Sequence, residues 1–308
     1  MKKIVIALAA LALTAGIASA QDINAALETY NNALAIIDTD KAAALDGLKE
    51  ALTLGEALGE EGAELVANCK SAIPSVMVSI AKSQINEGEF DTALATLADA
   101  ETVAKEYEND DVAAEIPDLL VNIYNRRGSK AYNEKNFEAA IADLTKVIEA
   151  NPEDGKTLLK VAVANRALGN MDESLEAFKQ AAANGMEKQA NPQIANIYKK
   201  NAITAQKAGK LSEAVEALAA STEYVKDAGT FKTIGNLYTK LNKLTDAVNA
   251  YKQYLEISPS AADADDVKYT IADLARRGGD KATAKEYYNQ LLSNATYAAE
   301  AKKQLGAL

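Results

Sequence analysis

The sequence predicts an all-α fold with no β-sheet, built from antiparallel helix pairs stacked into a solenoid. Three observations lead there. The composition favours helix, a pattern of small and large residues recurs about every 34 positions, and all five prolines fall where such a repeat has helix entrances or connections.

Composition comes first. Alanine is abundant, tryptophan and histidine are absent, and 48% of residues are hydrophobic. Alanine has the highest intrinsic helix propensity, with leucine, lysine and glutamate close behind. A single cysteine, Cys69, allows no internal disulfide, so stability must come from apolar packing.

The period carries the architecture. Gly128, Phe137, Ala140, Leu144 and Val147 align, 34 residues on, with Ala162, Met171, Ser174, Phe178 and Ala181. The order recurs at Ala202, Leu211, Ala214, Leu218 and Ser221, and at Gly235, Leu244, Ala247, Tyr251 and Tyr254. A copy before these runs Ala81, Phe90, Ala93, Leu97 and Ala100, and one after them Ala272, Lys281, Ala284, Tyr288 and Leu291. Each unit reads as a helical hairpin. A small residue lets a neighbouring helix cross closely, a turn holds glycine at 88, 169, 209 and 278–279, and the second helix spaces apolar residues at three and four. One hairpin cannot bury both faces, so hairpins must stack.

Pro74, Pro117, Pro152, Pro192 and Pro259 are placed by this phasing between hairpins or in the first turn of one. Proline suits helix entrances and costs about 3 kcal/mol in a helix interior.

The stretch Gly128 to Pro152 resembles the tetratricopeptide-repeat (TPR) consensus, with its glycine, aromatic (Phe137), alanine (Ala140), apolar pair (Leu144, Val147) and closing proline. Gly235 to Pro259 resembles it more fully, adding Tyr238. The likeness covers residues 74 to 298. Departures are the leading tryptophan, replaced by Tyr124, Tyr198 or Phe231, an arginine (Arg127) at a normally apolar place, and Lys281 in place of the aromatic of the last unit. The resemblance implies a right-handed superhelical solenoid of about six repeats over 74–298. An N-terminal helical cap or degenerate repeat (21–73) precedes it and a short capping helix (299–308) follows. It also implies a binding habit: first helices line a concave surface that takes a protein or peptide.

The period slips twice. Gly88 to Lys135 is 47 residues, with the surplus near 108–114 and a lengthened helix expected. Gly169 to Gly209 is 40, with the surplus expected in a polar loop near 184–191.

Residues 1–20 differ in kind from the rest. Lys2 and Lys3 precede an apolar run from Ile4 to Ile17, closed by Ala18-Ser19-Ala20. This reads as a secretory signal peptide, with a mature chain from Gln21 in the periplasm or the medium. No later stretch is apolar enough to span a membrane. Cleavage removes two of 33 basic residues and no acidic ones, leaving 31 against 44 and a charge of −13. So acidic a chain is a poor nucleic-acid partner, because phosphate neutralisation needs clustered cations.

No catalytic, cofactor or metal constellation is expected. Without histidine there is no Ser-His-Asp or Cys-His pair, and the commonest metal ligand is missing. Asp110-Asp111 and Asp265-Asp266 read as helix-start acids that complement the dipole. Cys69 reads as a small buried apolar residue, with an intermolecular disulfide as the alternative.

The resemblance points to candidate binding residues on the first helices: Lys199, Lys207, Lys232, Asn236, Lys240, Tyr269, Arg276 and Arg277. The second helices carry acids instead, such as Glu213, Glu216 and Glu223, or Asp172, Glu173 and Glu176. A locally basic inner face would suit an acidic peptide or a free carboxylate. Lys232 and Asn236 resemble half of the family's carboxylate clamp, but no later repeat supplies the other half. A plainer reading stays open, since Lys207, Lys240, Arg276 and Arg277 fall in last helical turns, where cations favour the dipole by about 0.3–1 kcal/mol. The function expected is a non-enzymatic adaptor, monomeric without its partner. A structural or oligomeric part of a cell-envelope assembly, working through its outer faces, is the alternative.

Overall fold

The computed structural model describes residues 17–308, with side chains from Asp22 onward. All but the last four residues of the predicted signal peptide, 1–20, lie outside the described residues. Every regular element among the described residues is helical, so the all-α expectation holds. By its contacts the chain divides into two compact units, one ending at Ala150 and the other spanning Asn151–Leu308.

The first unit pairs α1 (Ile17–Ala35) with α2 (Lys41–Ala57), α3 (Ala63–Glu87) with α4 (Phe90–Glu106), and α5 (Asp110–Asn133) with α6 (Phe137–Ala150). A 3-10 turn, Gly59–Gly62, leads from α2 into α3. Leu48, Leu65, Cys69, Ile73, Leu97, Ile116 and Ile123 form one continuous core across α2 to α5. Each such side chain, fully removed from water, contributes roughly 1.5–3 kcal/mol.

The second unit pairs α7 (Gly155–Leu168) with α8 (Met171–Ala181), and α9 (Glu187–Lys207) with α10 (Leu211–Tyr224). It continues with α11 (Ala228–Lys240) and α12 (Leu244–Ile257), α13 (Ala264–Arg277) and α14 (Lys281–Gln290), and ends in α15 (Ala298–Ala307). Phe231 and Tyr238 pack against two of its apolar clusters, one centred on α10 and α11 and one on α12 to α14, and join them.

The repeating small and large residues are the core, with one exception. Ala81, Ala162, Ala202 and Ala272 are all 0% exposed, as are Leu97, Leu144, Phe178 and Tyr288 on the facing helices. The large residue that opens each second helix is not core. Phe90, Phe137, Leu211 and Leu244 are half-buried, Met171 is 37% exposed and Lys281 is at the surface. A residue at the first position of a helix has the turn, not a neighbouring helix, beside it. That is why lysine is tolerated there.

All six turns within the pairs α3/α4 to α13/α14 close alike. Gly88, Lys135, Gly169, Gly209, Asn242 and Gly279 have positive φ. The N–H of the following residue then bonds the carbonyl five back, as in Glu89 to Gln84 (2.9 Å) and Asn136 to Ala131 (2.9 Å). This left-handed closure satisfies carbonyls that the helix end leaves open. Lys135 adopts it with a Cβ, at φ 62°, where glycine would be unstrained.

Two expectations fail. Pro74, Pro117 and Pro192 lie inside α3, α5 and α9 rather than between hairpins. These are the three longest helices among the described residues, because each extends backward past its proline. Apolar side chains just before the ring explain it: Ile73 is 1% exposed, Ile116 1% and Ala190 0%. Packing on both sides of the ring offsets the lost hydrogen bond, whose cost is roughly 3 kcal/mol. Pro152 and Pro259 do lie between hairpins. The second failure is the polar loop near 184–191. Residues 182–186 form one π-type turn kinked at Asn184 and Gly185, and α9 has begun by Glu187. The lengthened helix expected after residue 108 is α5.

Candidate functional site

Lys199, Lys232 and Tyr269 stand at equivalent places, three residues before the small residues Ala202, Gly235 and Ala272 of their helices. The structure uses all three as links between successive first helices. Lys199 Nζ on α9 lies 3.0 Å from Asp227 Oδ2, the residue that caps α11. Lys232 on α11 pairs with Asp263, which immediately precedes α13. Tyr269 on α13 stacks on Tyr297 at 4.8 Å between ring centroids, and the Tyr297 hydroxyl donates to Asp266 at 2.7 Å. One step earlier, Arg166 on α7 donates to Gln193 on α9. In the first unit, Lys82 on α3 meets Glu115 on α5 at 2.5 Å. These links hold the first helices side by side.

The acceptors are tuned to their role. Asp227 is held below the usual carboxylate range by Thr230, whose Oγ1 donates at 2.6 Å and whose N–H donates at 3.0 Å, with Lys199 adding to it. Asp263 is lowered by Lys232 and then by the Tyr254 hydroxyl, which also donates to it. Its effect on Lys232 is reciprocal, raising that ammonium above the ordinary lysine value. Lys232 also sits 5.7 Å from the Tyr254 ring centroid.

The remaining candidates separate into engaged and free. Asn236 accepts from the Tyr251 hydroxyl at 2.6 Å, so both members of the half clamp already have partners. Arg276 and Arg277 both reach Asp273 one turn back, at 2.6 and 3.7 Å. Arg276 is raised by this bond, and its Nε is buried without a hydrogen-bond partner, as is the Tyr288 hydroxyl. Lys207 and Lys240 are exposed, close their helices, and make no ion pair among the described residues. Of the eight residues, only Lys207 and Lys240 carry charge with no ion-pair partner among the described residues.

Sequence reasoning missed the acceptors. Asp154, Asp227 and Asp280 each precede a helix with threonine three residues on, and each accepts the N–H of that threonine. That spacing is a readable capping signal. It also missed a depression of about 280 Å3 beside α7 and α9, lined by Arg166, Met171, Asn196, Lys199, Lys200 and Ile203 among others. Arg127, the odd residue of its repeat, is accounted for. Its Nε and Nη2 each lie 2.7 Å from the carboxylate of Asp143, which is 5% exposed, and its Nη1 meets Asp91. Cys69 is fully buried, and burial pushes its thiol up to about 11.

Among the described residues no group of three or more histidine, cysteine, aspartate or glutamate side chains could hold a metal ion. None of the described helices is long and apolar enough to cross a membrane.

The class that this arrangement defines is a repeat protein of stacked helix pairs, whose first helices are linked to one another within each unit. Family models for the tetratricopeptide repeat match residues 125–188, 233–260 and 266–295. Over those residues the chain carries tetratricopeptide repeats, and such repeats serve as protein-interaction modules. Among solved structures, it is similar to a MamA protein at 20% identity, covering 61% of this chain and 94% of that one with a TM-score of 0.29. It is also similar to YrrB, described as a TPR protein with an unusual peptide-binding site, at 16% identity over 60% and 91% of the two chains, TM-score 0.29. A third is a thermophilic TPR protein of Thermus thermophilus, TTC0263, at 20% identity over 59% and 95%, TM-score 0.26. No curated protein sequence matches the chain.

Proposed function

We propose that the protein is an exported, non-enzymatic adaptor that binds an extended, acidic segment of a partner along the first helices of its second unit. The observation that carries this reading is the linked face itself. Side-chain bridges from α7 to α15 align the first helices, while Lys207 and Lys240 leave free positive charge on them in a chain of net charge −11. Complementary charge steers a partner and sets its register.

Reversing Lys232 would place a carboxylate against Asp263 and damage the fold, so the informative substitutions are Lys207→Glu and Lys240→Glu. A photo-crosslinking residue at position 240 should trap a partner in the native organism, and the double reversal should reduce that capture several-fold. Trapping only from position 213, on a second helix, would sink the reading in favour of an assembly component that uses its outer faces. Purified adaptor should be monomeric by light scattering. Export from a signal peptide ending at Ala20 belongs to the same proposal. Mass spectrometry of the periplasmic and medium fractions should find an N-terminus at Gln21, and a cytoplasmic chain retaining Met1 would refute it.

A further inference from the structure

We infer that the depression beside α7 and α9 is the anchor point of the bound segment, taking one bulky aliphatic side chain flanked by carboxylates. This rests on the reading that the second unit binds an extended segment. Six large hydrophobic side chains are exposed among the described residues, and two of them line this one depression: Ile203, at 51%, and Met171, at 37%. Ile203 is the most exposed of the six, and it sits on the first-helix face one turn beyond Lys199. Covering such surface with an aliphatic group is favourable in proportion to the area removed from water. Methionine at 171, where four of the other five pairs carry phenylalanine or leucine, gives that wall an adaptable side chain.

The rim decides the partner's charge. Arg166, Lys199 and Lys200 surround the apolar floor, and no acidic residue lines it, although the chain holds 44 acids against 33 bases. Arg166 is fixed by Gln193 and by the Phe178 ring, 5.6 Å away. Lys199 is fixed by Asp227. Lys200 makes no ion pair among the described residues and is free to reach a carboxylate on the ligand. With Lys199 already neutralised by Asp227, one fixed cation, Arg166, and one mobile cation, Lys200, beside an apolar floor match an acidic segment with a single leucine-like residue. They do not match a basic or wholly polar one.

The test uses the full chain and a fluorescein-labelled, end-capped peptide of alternating glutamate and serine with one central leucine, followed by anisotropy. The leucine peptide should bind about tenfold more tightly than the same peptide with alanine, as expected for two to three partly buried methylene groups. Ile203→Ser combined with Met171→Ser should abolish that preference without lowering the melting temperature. Lys200→Glu should weaken both peptides severalfold. Equal binding of the two peptides, or a leucine preference that survives the double substitution, overturns the anchor. If that preference instead disappears in Lys240→Glu, the anchor is lost but the adaptor reading stands. Failure of every peptide to bind removes both. Self-association of the wild type that Ile203→Ser abolishes would mean that a second copy fills the depression, and the inference falls.

Discussion

Gly235→Ala puts the repeat geometry under direct strain. A Cβ at Gly235 would lie 2.8 to 2.9 Å from three atoms of the Tyr251 ring. That ring is 4% exposed, and its hydroxyl donates to Asn236 at 2.6 Å, so it cannot swing aside without losing a hydrogen bond. Overpacking of this kind costs about 1–3 kcal/mol. Alanine in a helix interior is worth about 1 kcal/mol over glycine, so the net loss should reach up to about 2 kcal/mol. With a typical urea dependence, the unfolding midpoint followed by circular dichroism should fall by up to about 1 M. Tyr251→Leu removes the obstacle. In that background Gly235→Ala should be neutral or should stabilise by up to about 1 kcal/mol. A gain in the wild-type background, or the same change in both backgrounds, would refute the argument. Helix propensity, and not the close crossing, would then govern this position.

Four further outcomes are expected. Arg127→Met leaves the buried Asp143 carboxylate unpaired and should cost about 3–5 kcal/mol, most of it recovered when Asp143→Leu is added; melting curves in which the single variant equals the double would contradict this. Asp227 and Asp263 have folded-state pKa values below their unfolded ones, so the stability they contribute is complete above about pH 4 and is lost as pH falls through the folded values. Acid titrations of the fold should accordingly be shallower in Asp227→Asn with Asp263→Asn than in the wild type, and identical curves would remove the two carboxylates from the account. Cys69, fully buried, should resist Ellman's reagent until the chain unfolds; rapid native labelling, or a dimer on a non-reducing gel, would speak for the intermolecular disulfide. Lys135→Gly should stabilise by about 0.5–1 kcal/mol by relieving a left-handed turn, and a lower melting temperature would show that its side chain has a use there.

Much of the fold was legible because its determinants are local and repeat. Gly128 and Gly235 face Leu144 and Tyr251 because close crossings need a small residue at a fixed offset, and that offset is written into the chain. Gly88, Gly169, Gly209 and Gly279 mark turns because few other residues reach positive φ without strain. The candidate face was legible only as a set of side chains pointing one way. Lys199 and Lys232 read as free cations because their partners, Asp227 and Asp263, lie 28 and 31 residues ahead, across a repeat boundary. Lys207 and Lys240, each at the end of its helix, were the members of that set whose charge stayed available.

What the sequence by itself determined is the helical class, the phase of the six pairs from α3 to α14 and the identity of the crossing residues, since periodicity, propensity and turn chemistry act over a few neighbours. Only the tertiary structure decided that helices run through Pro74, Pro117 and Pro192, which cations are neutralised, and that Met171 and Ile203 share one depression beside Lys200. Those outcomes depend on what packs against each side chain from another helix, and packing across repeats overrides local preference wherever buried apolar contacts outweigh a lost hydrogen bond or an opposite charge comes within reach.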